Sequence, residues 1–238
     1  METKLSELVA RLKSAAGDNL KAVVLYGSAV TGEFQEKHSD LNTLCVVERT
    51  TLAELERLHP IAEWWMGKKN PAPLIFTLDE LVRSADVFAI ELLDMKRHHR
   101  MLFGADFLEQ MDVPLRLHRL QVERELRTNW LRLRQAILSA PPKKKAHLSI
   151  MLASVAVFCA LFRHALMALG QPEAHGKREA VDGVAAMTGA DASGFHSILE
   201  FRAGKRKEKE IDIEAAMQTY LEFVEVVTNE VDRRLETS

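Results

Sequence analysis

Cysteine is scarce in this chain, with only Cys45 and Cys159 among 238 residues. Cys45 falls in an apolar run that reads as a strand and Cys159 in an apolar helix. Both are expected to pack as small hydrophobes in a reducing compartment, and a disulfide framework or a Cys-based metal site is excluded. Aromatics make up only 6% of the residues, while Leu, Ala, Arg and Glu are abundant, a balance that favours helix over sheet. No internal repeat is visible, which sets repeat architectures aside. A long hydrophobic run is missing too: Leu148 to Phe162 stops about five residues short of the roughly 20 that a spanning helix needs, and Arg163 and His164 then interrupt it. The expectation there is a buried bundle helix and no membrane partner. The N-terminus lacks the apolar core of a signal peptide. It reads as an amphipathic helix with Glu2, Lys4, Glu7, Arg11 and Lys13 on its polar side, so a cytoplasmic location is expected. A large excess of one charge is also absent, the formal net charge being -2.

What is present is an ordinary globular composition, 47% hydrophobic and 28% charged, in a chain long enough for one or two domains. Leu5, Leu8, Val9 and Leu12 recur at helical spacing, and Gly17-Asp18-Asn19 ends that helix. Ala22 to Tyr26 and Leu44 to Val47 are short continuous apolar runs, as expected of strands buried on both faces. Thr51 to Met66 reads as a helix with Thr51 as cap and Glu54 at capping-box spacing. Pro71 to Phe76 is a third strand, and Thr77-Leu78-Asp79-Glu80 repeats the capping-box pattern at the start of another helix. A helix through about Arg97 and a strand at Arg100 to Phe103, closed by Gly104, complete an α/β sandwich of about four strands. Beyond Pro114 the pattern changes to long helices: Leu115 to Leu138 with Leu120, Leu126, Trp130, Leu133 and Ile137 as its apolar stripe, His147 to Leu169, two shorter ones, and a last from about Ile213 to Leu235. Between them the charged segment from Gly204 to Glu210 reads as a solvated loop.

The stretch that carries chemistry is Lys21 to Val47. An apolar run ends in Tyr26-Gly27-Ser28, and eleven residues after Ser28 the segment Ser39-Asp40-Leu41-Asn42 opens a second apolar run. Glycine lets a backbone approach a phosphate closely, and a serine hydroxyl with neighbouring N–H groups can donate to it. Residues two apart on a strand point to one face, so Asp40 and Asn42 could grip one ion through hard oxygen ligands.

These residues, followed by a helical C-terminal half, resemble the nucleotidyltransferase superfamily that includes DNA polymerase β and the aminoglycoside nucleotidyltransferases. The resemblance implies an α+β fold, with a small mixed-sheet nucleotidyltransferase-like domain over residues 1–112 and a C-terminal helical bundle over residues 113–238. It implies transfer of a nucleotide from an NTP to an acceptor with Mg²⁺ as cofactor. Gly27, Ser28 and Ser39 would lie on the triphosphate, and Asp40 and Asn42 would be the catalytic metal ligands. The family pattern is Asp-x-Asp with a third carboxylate on a later strand. Here Asn42 replaces the second Asp, removing one negative charge, and none of Pro73, Leu74, Ile75, Phe76 or Thr77 supplies the third acid. Glu91 and Asp94, one helical turn apart, could stand in for it.

Two readings follow. One is an enzyme transferring a nucleotide to a hydroxyl of a small-molecule or protein acceptor. The other is a catalytically degenerate member that binds a nucleotide or a protein partner as a regulatory or interaction protein, and a homodimer is left open. A third reading, nucleic-acid binding through the basic helix that carries Arg116, Arg119, Arg124, Arg127, Arg132 and Arg134, ranks last. The chain is slightly acidic overall and no aromatic interleaving supports base stacking. That helix is equally explained as a solvated face, and His98-His99 as surface residues that diverge by about 100° on a helix. For the same reason Trp64 and Trp65 cannot both face one core, which leaves one of them for an interface.

Overall fold

The structure is a computed structural model that describes residues 1–30 and 40–236. The fold class is α+β, and the chain divides into two compact units, Met1–Leu115 and Arg116–Ser238.

The first unit is a mixed four-stranded sheet in the order β3-β2-β1-β4. Its strands are β1 Leu20–Tyr26, β2 Asn42–Val47, β3 Leu74–Thr77 and β4 His99–Phe103. β1 pairs antiparallel with both β2 and β4, whereas β2 and β3 are parallel, with helix α2 (Leu52–Met66) as the crossover that parallel neighbours require. The alternation of side chains sorts the central strands onto two cores. Val23, Leu25, Cys45 and Val47 pack with Leu5, Leu8 and Leu12 of α1 (Glu2–Ala16) and Leu58, Ile61 and Trp65 of α2. Ala22, Val24, Leu44 and Val46 pack on the opposite face with Leu81 of α3 (Leu78–Arg83) and Ala89, Leu92 and Met95 of α4 (Ala89–Arg97). Burial pushes the Cys45 thiol up to about 12, so it behaves as an inert apolar side chain, and both cysteines are free and buried.

The two capping-box spacings fare differently. Thr77 and Glu80 close a complete box, with the Glu80 N–H donating to Thr77 Oγ1 at 3.1 Å and the Thr77 N–H to Glu80 Oε2 at 2.7 Å. Thr51 accepts from the Glu54 N–H, but the Glu54 carboxylate is buried and taken by Asn19 Nδ2 at 3.3 Å and by Arg57. Asn19 in turn clamps the far end of β2 through Arg49, so a tertiary contact outcompetes the local one. β3 begins at Leu74, later than the sequence indicates, because Pro71 and Pro73 offer no N–H to the ladder. Trp65 fills the core, while Trp64 is half-buried under the Arg11 guanidinium, 4.4 Å from its ring centre; a neighbouring helix covers it.

The second unit is a helical bundle of α5 (His118–Ser139), α6 (Lys144–Ala168), α7 (Lys177–Thr188), α8 (Ser193–Arg202) and α9 (Ile213–Glu236). α6 packs against each of the others. It is 25 residues long, more than the apolar run foretold, and by length and composition alone it could cross a membrane. Its Met151, Val155, Phe158, Cys159, Phe162 and Ala165 are instead buried within the bundle. The sequence-derived stripe on α5 is corrected: the buried positions are His118, Val122, Leu126 and Leu133, and Leu120 is 65% exposed. Two residues displace a side chain by about 200° around a helix, so Leu120 points away from the face that His118 and Val122 share. The basic side of α5 is partly engaged within the bundle, with Arg127 paired to Glu123 and Asp232 and Arg134 stacked 3.6 Å above Trp130.

Candidate functional site

β1 ends in Tyr26 directly opposite Asn42, the first residue of β2. The chain then turns through a short 3₁₀ segment, Gly27–Ala29, closed by the Val30 N–H on the Gly27 carbonyl at 3.0 Å. Gly27 has φ 79°, where a side chain is strained, and a Cβ there would lie 3.2 Å from Asn42 Nδ2. The turn therefore brings bare backbone against the Asn42 amide. Among the described residues no side chain hydrogen-bonds that amide, which is half-buried.

Leu41 is buried with Val23, Leu25 and Cys45 on the α1/α2 side, and its N–H donates to Asn70 Oδ1 at 3.2 Å. Asn42 shares the other face with Leu44 and Val46. Asp40 is exposed and lies two residues before β2 begins, outside the ladder. Ser28 is half-buried in the turn after Gly27, and Ser39 lies outside the described residues. β3 places Leu74 beside Leu44 and Phe76 beside Val46, so the strand that would carry a third acid offers only apolar groups on that face. Among the described residues no cluster of three or more His, Cys, Asp and Glu is arranged to hold a metal ion. One carboxylate and one amide oxygen are hard ligands that fit Mg²⁺ when phosphate and water complete its shell, as is usual for that ion.

Tyr26, which the sequence shows directly before the Gly-Ser turn, lies at the same end of the sheet as Asn42. Its phenol is pushed up to about 12, first by burial and then by the negative charge of Glu91 on α4. Asn70, which anchors the start of β2, carried no signal in the sequence. His99 is corrected from a surface residue. It pairs with Tyr26 in the β1–β4 ladder and its ring is held between the Met95 carbonyl at 2.9 Å and Asp106 at 2.8 Å. The hydrogen bond from His99 is the main cause that lowers the Asp106 carboxyl below its usual range. His98 and His99 straddle the end of α4 and the start of β4, so the argument from adjacent helix positions did not apply to them.

Neither a scan of protein-family models nor a search of curated proteins gave a match. Among solved structures, the chain is similar to spectinomycin adenyltransferase AAD(9) from Enterococcus faecialis, solved with ATP and spectinomycin. The likeness has a TM-score of 0.58 at 16% identity and covers 97% of this chain and 99% of that one. At that identity it is one of architecture: a small mixed sheet followed by a helical half is the nucleotidyltransferase fold, and this chain has it.

Proposed function

We propose that the sheet end formed by Gly27, Ser28, Asp40 and Asn42 binds a nucleoside triphosphate with Mg²⁺, and that the protein transfers the nucleotidyl group to a hydroxyl of a small-molecule acceptor. The observation that supports this is the turn at Gly27, whose φ of 79° brings bare backbone against Asn42, the first residue of β2. Asp40 and Asn42 would hold Mg²⁺, which when bound neutralises phosphate charge. Gly27 and its neighbours in the turn would offer backbone N–H groups, and Ser28 a hydroxyl, to the phosphates. The neighbour's ATP and spectinomycin are in keeping with a nucleotide and a small acceptor, and spectinomycin is the first acceptor to try.

Thermal unfolding with ATP and Mg²⁺ tests the binding step. A ligand at 100 times its dissociation constant contributes about 2.7 kcal/mol, which for a chain of this size raises the midpoint by roughly 5 to 10 °C. The shift should require Mg²⁺ and vanish in Asp40→Ala. A shift unchanged in that variant would sink the assignment.

The second reading, a degenerate site that binds without turnover, is favoured by Asn42 and by the acid-free β3. Asn42→Asp discriminates. Restoring a second carboxylate should tighten Mg²⁺-dependent ATP binding by about tenfold, worth about 1.4 kcal/mol. Pyrophosphate release that is detectable only in this variant would establish the degenerate reading. No response in either assay would point to a site remodelled for another purpose.

A further inference from the structure

Helix α5 carries a pattern that the nucleotide site does not use. Leu120, Arg124, Arg127, Leu131, Arg134 and Leu138 follow one another in alternating steps of four and three residues, the spacing that lines a seam along one side of a helix. The seam is about 27 Å long at about 1.5 Å per residue, and it lies opposite the face that Val122, Leu126 and Leu133 bury in the bundle. Its leucines are bare: Leu120 is 65% exposed, Leu131 55% and Leu138 85%. A lone exposed leucine is ordinary, but three in register on one seam are what a helix presents to another helix. Half-buried Trp130 and Ile137 flank the seam and add apolar surface at its edge.

The charges on the seam decide what can lie there. Between Glu125 and Glu173 the chain has no Asp or Glu, so no acid on this stretch of α5 or on α6 answers the arginines. Arg127 is held by Glu123 and Asp232, and Arg134 lies over Trp130. Arg124 makes no ion pair among the described residues, and its neighbours one turn away are Leu120 and Thr128. A second copy of the chain is a poor occupant. Antiparallel alignment through the end leucines sets Arg124 against Arg134 of the other copy, and parallel alignment sets each arginine against itself. Nucleic acid would answer the arginines and leave the leucines in water. A membrane takes up a continuous apolar face, and here arginines interrupt the leucines.

We propose that the outward face of α5 docks an acidic amphipathic helix of another protein, one that sets apolar side chains on Leu120, Leu131 and Leu138 and carboxylates on Arg124 and Arg134. The carboxylates offset the cost of enclosing the arginines, and the same arginines reject a second copy. Trp130, midway along the seam, is the kind of residue that anchors such a contact. The inference goes beyond the nucleotide site and stands whether or not that site binds ATP.

The test uses the full chain and a fluorescent synthetic helix of about 20 residues, with leucine where it meets the three leucines and glutamate where it meets Arg124 and Arg134. Fluorescence anisotropy should show saturable binding. Leu131→Gln should weaken it at least about tenfold, and Arg124→Glu by as much. A peptide with lysine in place of the glutamate facing Arg124 should recover about tenfold on Arg124→Glu and lose affinity for wild type. Both side chains are exposed, so neither variant should move the thermal midpoint. No saturable binding up to about 1 mM, undiminished binding by Leu131→Gln, or no recovery with the lysine peptide overturns the proposal. So does tighter binding of duplex DNA, or of vesicles of phosphatidylserine and phosphatidylcholine, that Arg124→Glu abolishes, since the face would then serve phosphate or lipid. A dimer in sedimentation that Leu131→Gln dissolves would assign the face to a second copy and overturn it as well.

Discussion

Gly104→Ala is expected to destabilise the N-terminal unit by about 3 kcal/mol or more, among the largest effects of any single substitution in it. Gly104 follows β4 directly and has φ 83°, a conformation that costs an L-residue about 1–2 kcal/mol. The steric term is heavier. A Cβ there would lie 2.2 Å from the Lys21 carbonyl oxygen and 2.9 Å from the Ala22 Cα, both backbone atoms of the neighbouring strand β1. No rotamer change relieves a clash with backbone, so β4 must move off β1. β4 is an edge strand that also holds His99 opposite Tyr26, so the displacement reaches the site end of the sheet. Hydrogen exchange at Val23, Val24 and Leu25, whose strand positions face β4, reads the effect locally and separates it from the bundle. Protection that matches wild type there would mean that the turn after β4 has slack that the observed geometry denies.

Phe195→Ala should cost the helical unit about 3–5 kcal/mol, the range for deleting a buried aromatic ring. Phe195 is fully buried and stacks on Tyr220 with ring centres 3.9 Å apart and planes 8° from parallel. Phe162 and Phe223 lie at 5.3 and 5.0 Å, and Phe158 at 6.3 Å, so the ring joins α6, α8 and α9. The vacated space cannot close readily. The preceding Gly194 already sits so near α9 that a Cβ would come within 2.5 Å of the Ala216 carbonyl oxygen, which leaves α8 no room to move inward. Tyr220 is also tethered by its hydroxyl to Ser154 Oγ at 2.9 Å, so its ring is not free to fill the gap. Phe195→Leu should recover more than half of the loss, because it restores most of the volume without the stack. Urea unfolding followed by helical circular dichroism measures both variants. A loss under about 1 kcal/mol for the alanine variant would show that the cluster repacks and that the stack contributes little.

Much of this architecture could be read directly from the residues. The helices, both central strands and the Gly-Ser turn are signalled by features that act within one turn or one strand. Those features are apolar runs, helical spacing, and the Thr77-to-Glu80 box, in which every partner lies three residues away. The two-residue period of a strand, another local rule, holds along β2, where Cys45 and Val47 enter one core and Leu44 and Val46 the other. Where a distant partner intervened, local rules failed. The Glu54 carboxylate leaves its own box for Asn19, 35 residues away in the chain. The buried face of α5 is chosen by what it packs against, and Leu120 lies outside it although its spacing fits a stripe.

The chain's own order of residues thus determined which segments become strand or helix and where the Gly27-Ser28 turn sits. Two matters were left to tertiary packing: that Tyr26 faces Asn42 across the β1–β2 ladder, and that β3 sets only Leu74 and Phe76 beside Leu44 and Val46 on that face. The physical reason is one of range. Backbone conformation and capping are settled by interactions within a few residues, whereas register and helix placement follow from burial shared by segments tens of residues apart, and no local pattern encodes which segments those are.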